Sequence, residues 1–460
     1  MPDGLNEAVE KMRAEGLSDL AVDTFADYYR RLAEGEQGVL PEDELEPVEE
    51  LPDADELPDD DAGEVLDEAV VIKLNGGLGT SMGMTGPKSL LEIKDGHSFL
   101  DLTVRQVLEL RRRSEARLPL VLMHSFYTRE RSLAALERYP ELEVDVPLDF
   151  VQGKVPKLTA DDLRPVSWPD EPELEWAPPG HGDLYTSLVG SGMLETLLDR
   201  GYEYALVANI DNLGATLEPK ILAWFAREGM PFLMEVARRS EADRKGGHIA
   251  RRKGGGLVLR ETAQTRDEDL DAFQDVDRHP FFNANTIWLN LRTVAAAMDE
   301  KGGVLGLPMI VNRKTVDPTD SSSPEVIQLE AAMGAAIDVF DGAGALRVPR
   351  RRFAPVKTTN DLLMLRSDAY VLTEDARVEL APERGDRPPF IDLDSDHFKL
   401  VRDFDERFPA GPPSLIECDR LVVEGDVEFG AGVTVRGSVT VENDGPERLR
   451  IEDGTTLEDS

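Results

Sequence analysis

The sequence has 460 residues, of which 41% are hydrophobic, and a formal net charge of -40 at pH 7. This length and composition are typical of a globular protein with two or three domains and a sizeable core. The negative charge argues against a general nucleic-acid-binding surface, since a polyanion would be repelled before local contacts could form.

Other signals are missing from the sequence. Cys418 is the single cysteine, which excludes an internal disulfide, and no Cys/His group has zinc spacing. No N-terminal stretch has the pattern of a signal peptide, and no apolar run approaches the length that spans a bilayer. We therefore expect a soluble, cytoplasmic protein without nucleic-acid or membrane partners.

The N-terminal part, residues 1–66, is predicted to be a helical segment followed by an acidic linker. Apolar positions at helical spacing over the first 35 residues predict two short amphipathic helices broken near Gly16. Residues 41–63 then contain twelve acidic residues, four prolines and no basic residue. This composition is typical of a solvated linker, and a regulatory tail is the alternative.

Residues 67–375 show short apolar runs that alternate with helical stretches. AVVIKL (69–74), LPLVLM (118–123) and YALVAN (204–209) predict strands, and helices are expected over about 101–116, 129–139 and 183–198. The alternation predicts an α/β protein with a doubly wound, mostly parallel sheet. Ligands bind such sheets at the carboxyl ends of the strands, so unusual residues just after an apolar run lie where a site is expected.

The C-terminal part, residues 376–460, has a different repeat. Apolar pairs recur every six residues from Leu421, and the small residues at positions 425, 431 and 437 keep the same period. This period predicts a parallel β-helix, whose short strands stack on their equivalents in the next coil. Strands of a small sandwich are the alternative, but they would not explain the phase of the small residues.

The segment KLNGGLGTSMGMTGPKSL (73–90) follows the first predicted strand and places five glycines beside Lys88. Glycine backbone can approach a ligand closely, and successive N–H groups ahead of a helix form an anion-binding nest. The spacing fits neither a dinucleotide fingerprint nor a P-loop, because Pro87 separates Gly86 from Lys88. We predict a phosphate- or nucleotide-binding loop; a mobile surface loop is the alternative.

Two groups follow in the middle of the chain. In PPGHGD (178–183), His181 stands between two glycines, a poor position for core packing, ahead of a helix that Asp183 is placed to cap. YALVANIDN ends a strand with Asn209 and Asp211. A carboxylate at a strand end suits a Mg²⁺–phosphate complex, and a helix N-cap is the alternative for Asp211.

Three later groups add cations and amides. Lys245 lies beside paired glycines, Asn283 and Asn285 share one face if the strand is extended, and Lys357 precedes a helix start. Together with the glycine loop they supply anion-binding amides, cations, a metal carboxylate and hydroxyl-binding side chains. This set predicts phosphoryl or nucleotidyl transfer to a polar, sugar-like molecule.

The motifs resemble those of the eukaryotic-type UDP-glucose pyrophosphorylase family. The resemblance runs in order from about residue 69 to about 370, through LNGGLGTSMGMTGPKSL, LVLMHSF, PPGHGDLY, NIDNLGAT, KGGH, FNANTIWLNL, VIQLEAAMGAAI and FAPVKTTNDLL. It implies a Rossmann-like nucleotidyltransferase sheet with a C-terminal left-handed β-helix. It also implies a Mg²⁺-assisted reaction of UTP with glucose 1-phosphate that gives UDP-glucose and pyrophosphate.

The resemblance also implies roles for single residues. Lys357 and Lys88 are the expected catalytic residues, and Asp211 is the expected metal ligand, with Mg²⁺ reaching the Lys88 region through the phosphates. Gln152 is expected to bind uracil. The expected nucleotide-binding residues are Leu74, Asn75, Gly76, Gly77, Lys88, Gln152, Gly180, Asn209, Asp211 and Lys357. The expected sugar-phosphate-binding residues are Gly76, Gly77, His181, Asn209, Lys245, Asn283 and Asn285.

Alternatives remain for the substrate and the class. A broader UDP-sugar or UDP-N-acetylhexosamine pyrophosphorylase would share the glycine loop, and a non-catalytic sugar-nucleotide-binding scaffold would use the β-helix as its working part. The resembled family often has Ser or Thr where this chain has Gly153, so a different local turn is expected there. Homo-oligomerisation, if it occurs, is expected through the C-terminal β-helix.

Overall fold

The computed structural model describes residues 3–385 and 387–458 of the protein. The α-helices in this part of the chain are α1 Asp3–Ala14, α2 Asp19–Ala33, α3 Phe99–Ser114, α4 Arg129–Leu136, α5 Asp183–Gly190, α6 Met193–Asp199, α7 Pro219–Arg227, α8 Leu270–Gln274, α9 Leu291–Glu300, α10 Thr359–Arg366, α11 Ser395–Phe398 and α12 Val401–Arg407. Among these described helices, none combines the length and apolar character needed to cross a membrane.

The β-strands are short, and many of them lie in one sheet. In chain order they are β1 Leu45–Glu46, β2 Ala69–Asn75, β3 Glu92–Lys94, β4 His97–Ser98, β5 Leu120–His124, β6 Asp149–Val151, β7 Val155–Pro156, β8 Leu158–Thr159, β9 Trp176–Ala177, β10 Tyr204–Asn209, β11 Phe232–Arg238, β12 His248–Arg252, β13 Leu257–Arg260, β14 Phe281–Asn290, β15 Met309–Thr315, β16 Glu325–Ala331, β17 Gly344–Arg347, β18 Tyr370–Leu372, β19 Val378–Leu380, β20 Phe390–Leu393, β21 Ser414–Glu424, β22 Val427–Phe429, β23 Thr434–Glu442, β24 Leu449–Ile451 and β25 Thr456–Leu457.

The central sheet has ten strands, and the residues of the predicted site follow the carboxyl ends of its parallel strands β2 and β10. Its path is β1-β12-β14-β10-β2-β5-β6, with β13 beside β12 and with β11 and β17 branching from β14. Strands β10, β2, β5 and β6 pair in parallel. Strands β1, β13 and β14 run against the direction shared by the others. The α/β class and the mostly parallel sheet are therefore confirmed.

The strand that leads into the glycine loop lies at the centre of this sheet. All seven residues of β2 are buried, as expected for a parallel strand covered on both faces. The helix after it, α3, begins at Phe99 with a capping box between Ser98 and Asp101, slightly before the predicted start. The single helix predicted over 183–198 is wrong. Gly192, with φ of 76°, separates α5 from α6.

The N-terminal helices belong to the main core. The chain between α1 and α2 turns at Gly16, with φ of 79°, as predicted. Phe25 and Tyr29 of α2 are buried in the same apolar cluster as Val70 and Ile72 of β2. The two helices therefore add to the apolar cluster that includes the sheet, and α2 contacts α5.

The acidic segment 41–63 contacts the sheet through apolar residues, while ten of its twelve acidic side chains are exposed, as expected for solvated residues. Leu45 in β1 pairs with Arg252 of β12, which adds the segment to the edge of the central sheet. Leu45 and Val48 are buried. The Glu42 carboxylate accepts hydrogen bonds from Arg260, at 2.5 Å, and from Arg278, at 2.7 Å. The Glu42 carboxylate thus neutralises arginines of the body instead of facing only water.

The C-terminal part contains parallel strands whose apolar core is shared with the central part, including Met82 and Phe99. β20, β21, β23 and β25 pair in parallel, and so do β22 and β24. Leu421 aligns with Val439, so strands three sequence periods apart stack on each other. This part also reaches the glycine loop, since a Cβ added at Gly83 would lie 3.0 Å from the Leu400 side chain. Parallel stacking of the strands is therefore present in the C-terminal part.

Candidate active site

The glycine loop folds back on itself at the end of β2. Gly79 and Gly83 have φ of 65° and 74° and flank a short 3-10 helix, Thr80–Met82. These left-handed conformations cost little for glycine and much for other residues. The Gly77 carbonyl accepts a hydrogen bond from the Lys88 N–H at 2.9 Å. The loop therefore returns Lys88 to the end of the strand, as its sequence position suggested.

Two hydroxyl groups donate hydrogen bonds to backbone carbonyls at the start of the loop. Thr128 Oγ1 donates to the Asn75 carbonyl at 2.6 Å, and Ser125 Oγ donates to the Gly76 carbonyl at 2.9 Å. The Asn75 side chain is buried and donates to Ser132 Oγ at 3.0 Å. Asn75 can thus contribute to a ligand site through its backbone only. Ser125 and Thr128 were missed in the sequence, although Ser125 directly follows the strand in LVLMHSF and Thr128 comes three residues later.

Gln152 lies directly against the loop. A Cβ added at Gly76 would lie 3.1 Å from Gln152 Oε1, so only glycine leaves the amide this close. The Gln152 N–H donates to the His124 carbonyl at 2.8 Å. The following Gly153 N–H donates to Asp183 Oδ2 at 2.6 Å. The turn at Gly153 is therefore fixed by a carboxylate of the next site segment.

Asp183 does not cap its helix, and that prediction is wrong. Gly182 occupies the N-cap of α5 without a side-chain cap, and Asp183 is the first helical residue. The Asp183 carboxylate accepts from Gly153 N–H and from Ser187 Oγ, at 2.6 and 2.5 Å. Burial raises its pKa to about 6. Asp183 thus joins the segment with His181 to the segment with Gln152.

His181 is held by backbone on both sides. Gly180 has φ of 78°, and a Cβ there would lie 2.5 Å from the Ala331 carbonyl oxygen. His181 Nδ1 accepts a hydrogen bond from the Met333 N–H at 2.9 Å. Burial lowers the pKa of His181 to about 4, so the ring is neutral at pH 7. Since Nδ1 accepts, the proton resides on Nε2, which is left to donate to a ligand.

Lys88 connects three parts of the site. Its Nζ donates to Asp211 Oδ2 at 2.6 Å and to the Val356 carbonyl at 2.5 Å. Asp211 follows β10, whose last residue, Asn209, pairs with Leu74 at the end of β2. The loop lysine, the strand-end carboxylate and the Lys357 segment therefore meet, although they are distant in sequence.

Lys357 is the exposed member of this group. Its backbone N–H donates to Asp361 Oδ2 at 2.8 Å, within the capping box that begins α10. Its Nζ lies 5.9 Å from the centre of the Phe353 ring, and that ring meets Phe282 edge to face at 4.8 Å. The ammonium can thus move while its backbone stays fixed. Phe282 directly precedes Asn283, which places the predicted sugar-binding asparagines nearby.

The backbone at Asn283 and Asn285 differs from the extended strand that the sequence predicts. Asn285 has φ of 51°, and β14 carries an irregularity there, so the segment is not simply extended. The side chains nevertheless meet, because Asn283 Nδ2 donates to Asn285 Oδ1 at 2.9 Å. The Asn283 N–H donates to the Gly247 carbonyl at 2.9 Å, which brings the KGGH turn to the pair. Lys245 lies on the exposed part of that turn.

Glu261 lies at the same place and was missed in the sequence. A Cβ added at Gly247 would lie 2.3 Å from Glu261 Oε2, so the carboxylate covers the glycine. Burial raises the pKa of Glu261. Glu261 is the N-cap of the 3-10 helix Thr262–Gln264, and the antiparallel pairing of β12 and β13 brings it beside Gly247.

The side chains of the site can be compared with the ligands that a magnesium ion needs. Within residues 3–385 and 387–458, no cluster of three or more His, Cys, Asp or Glu side chains could form a metal cage. Mg²⁺ on a nucleotide does not need one, since it commonly binds one or two carboxylates together with phosphate and water oxygens. Asp211, which contacts Lys88 of the glycine loop, fits that role.

Comparison with known proteins identifies the family. The family model described as UTP–glucose-1-phosphate uridylyltransferase matches residues 22–436. The chain belongs to this family. It is 41% identical to the UTP–glucose-1-phosphate uridylyltransferase of Solanum tuberosum over 86% of this chain and 81% of the relative. It is 38% identical to that of Hordeum vulgare over 99% and 95%. These matches confirm the resemblance found in the motifs.

A solved structure extends the match to three dimensions. A mutant UDP-glucose pyrophosphorylase from Leishmania major, in complex with UDP-glucose, superimposes with a TM-score of 0.93 at 45% identity. The match covers 100% of this chain and 99% of that one. The similarity therefore includes the N-terminal helices and the C-terminal strands as well as the central sheet.

Proposed function

We propose that the protein transfers the uridylyl group of UTP to glucose 1-phosphate. A phosphate oxygen of glucose 1-phosphate attacks the α-phosphorus of UTP, the bond to the β-phosphate breaks, and UDP-glucose and pyrophosphate form. The observation that carries this proposal is the contact of Lys88 with Asp211 and Val356. In a chain of this family, that contact gathers the nucleotide loop, a metal carboxylate and the Lys357 segment around one point.

The nucleotide is proposed to bind along the glycine loop. The backbone from Leu74 to Gly77, including Asn75 and Gly76, contacts UTP, and the Gln152 amide pairs with the uracil edge. Gly180 and Asn209 contact the nucleoside. The support is geometric, since Gln152 lies against Gly76 and Asn209 pairs with Leu74. Glycine at these positions lets a planar base lie close to the main chain.

The sugar phosphate is proposed to bind between His181 and the asparagine pair. His181 donates from Nε2 to a phosphate oxygen, because its Nδ1 is occupied by the Met333 N–H. Asn283, Asn285 and Glu261 supply the donors and acceptors that sugar hydroxyls need. Gly76, Gly77, Asn209 and Lys245 complete the proposed contacts with this substrate.

The chemistry requires charge neutralisation and alignment more than proton transfer. The attacking phosphate oxygen is already an anion, so no general base is needed. Lys88 and Lys357 are the catalytic residues of this proposal, and they hold two mutually repelling anions together. When bound through Asp211 and the phosphates, Mg²⁺ supplies further positive charge.

A pyrophosphate-release assay tests this function. The protein is incubated with Mg²⁺, UTP and glucose 1-phosphate, beside other nucleotides and other sugar 1-phosphates. We expect the highest kcat/KM with UTP and glucose 1-phosphate. Preference for N-acetylglucosamine 1-phosphate would indicate a UDP-N-acetylhexosamine pyrophosphorylase instead, and comparable rates with several sugars a broader UDP-sugar enzyme. Binding of UDP-glucose without any turnover would indicate a non-catalytic scaffold.

The C-terminal strands are proposed to form a left-handed β-helix. The pairing of Leu421 with Val439, three six-residue periods apart, supports three strands per coil. The domain boundaries at 66/67 and 375/376, homo-oligomerisation through the β-helix and a cytoplasmic location stay predictions.

A further inference from the structure

A buried ion pair lies beneath the Lys357 segment. Glu235 of β11 is fully buried, and Arg352, five residues before Lys357, is 5% exposed. The guanidinium binds the carboxylate through two hydrogen bonds, of 2.8 Å from Nε and 2.6 Å from a terminal nitrogen. Trp288 Nε1 donates to the same carboxylate at 2.9 Å. The pair is therefore oriented by strands of the central sheet.

Arg352 also binds the loop that carries Asp211. Its guanidinium donates to the Thr216 carbonyl at 2.9 Å. The neighbouring Ala215 carbonyl accepts from Lys73 Nζ at 2.7 Å, from the buried interior of β2. Two basic side chains thus fix two successive carbonyls of the loop after β10. Neither side chain has a role in the proposed chemistry.

Asn212, directly after Asp211, ties the two segments together. Its Nδ2 donates to the Arg352 carbonyl at 3.0 Å, and its Oδ1 accepts from the Ala354 N–H at 3.0 Å. Asn212 also forms an isolated bridge with Pro355. The Asp211 loop and the chain leading to Lys357 therefore run side by side as one cross-linked unit.

A buried charge network of this kind is a poor source of stability. Removing charges from water costs several kcal/mol per ion, and apolar replacements of similar shape are often equally stable. Its geometry, by contrast, is specific, because the planar guanidinium can donate to both oxygens of a carboxylate in only one arrangement. A network that anchors both reacting segments is therefore better explained by positioning than by stability.

We propose that Glu235, Arg352 and Lys73 are positioning residues that fix Lys357 relative to Asp211. This inference rests on the proposed roles of those two residues. The network sets the separation of these two residues, while the exposed Lys357 ammonium stays free to follow the α-phosphate of the transferred uridylyl group. Loss of the fork should then lower turnover and leave substrate affinity nearly unchanged.

The first test replaces Arg352 by lysine, which keeps the charge and loses the fork. We expect kcat to fall by about 10–100-fold, the effect of a small misplacement of reacting groups, with KM for both substrates changed less than about threefold. The control is Arg252→Lys, since Arg252, at the end of β12, makes a forked but more exposed pair with Asp338. The control should keep the wild-type kcat. Equal kcat in Arg352→Lys and wild type would overturn the proposal.

A double-mutant cycle separates positioning from a general structural effect. If Arg352 acts through Lys357, adding Arg352→Lys to Lys357→Ala should lower kcat by less than about threefold. Multiplying effects would overturn the inference. Lys357→Ala alone tests the proposed catalytic role: if this variant keeps full turnover, that role fails, whatever Arg352→Lys does. If Arg352→Lys does not fold, Glu235→Gln, which keeps an acceptor oxygen for Trp288, replaces it in the cycle with the same expected outcomes.

Discussion

Replacing Lys88 by methionine removes one charge from the centre of the site. Lys88 makes two short contacts, with Asp211 and with the Val356 carbonyl. One preorganised donor directed at transition-state charge typically contributes about 10²–10³ in kcat, or about 3–4 kcal/mol. The salt bridge is only partly buried, with side chains 17% and 22% exposed, so its loss should cost about 1–2 kcal/mol of stability. We therefore expect a folded protein with strongly reduced turnover.

Lys11→Met is a suitable control because Lys11 makes a similar set of contacts. Its Nζ pairs with Glu175 and donates to the Val166 carbonyl at 2.7 Å, and the paired side chains are 21% and 15% exposed. Pyrophosphate release gives kcat and KM, and urea unfolding gives the free energy of unfolding. Both variants should lose similar stability, and only Lys88→Met should lose kcat. A Lys88→Met enzyme with kcat within about threefold of wild type would refute the catalytic role of this charge.

Four further variants test three neighbouring groups. Asp211→Asn should raise the Mg²⁺ concentration needed for half-maximal activity by about tenfold or more, because a neutral amide binds Mg²⁺ poorly; an unchanged Mg²⁺ titration would contradict the metal role. His181→Gln should retain more activity than His181→Asn in the same assay, because the glutamine amide can replace the Nε2 donor, whereas asparagine replaces only the Nδ1 acceptor; the reverse order would contradict the assigned tautomer. Asp183→Asn should stabilise the protein by about 1–3 kcal/mol, since the folded-state pKa of about 6 lies above the unfolded value near 3.8. The unfolded chain loses this proton first as the pH rises, so the stabilisation measured by urea unfolding should be larger at pH 8 than at pH 5, and equal values at both would contradict the raised pKa.

The glycine loop was the part of the site most open to prediction. Its signals are local, because an apolar strand, positive-φ glycines and a nearby lysine all lie within the 20 residues from 69 to 88. The strand-end rule then predicts that residues after β10 lie at the same edge as the loop. The contact between Lys88 and Asp211 follows from that rule, although 123 residues separate them.

Other features depend on packing partners that no local pattern reveals. The irregularity at Asn285 arises where β14 meets β11, and its own sequence, FNANTIW, reads as a regular strand. The sequence places Asp183 where a helix N-cap is expected, but its carboxylate instead accepts a hydrogen bond from the Gly153 N–H. In each case a tertiary partner competes successfully with the local preference.

The acidic segment makes contacts with the sheet that composition could not predict, although ten of its twelve acidic side chains are exposed. Its charge count predicts exposure, because unpaired carboxylates cannot be buried. The partners lie far along the chain: Glu42 binds Arg260 and Arg278, which follow by 218 and 236 residues. Asp53 pairs with Arg347 just ahead of the stretch that holds Arg352. Part of the protein's large negative charge therefore serves as internal counter-charge for arginines of the sheet, and the segment borders the network that we propose to position Lys357.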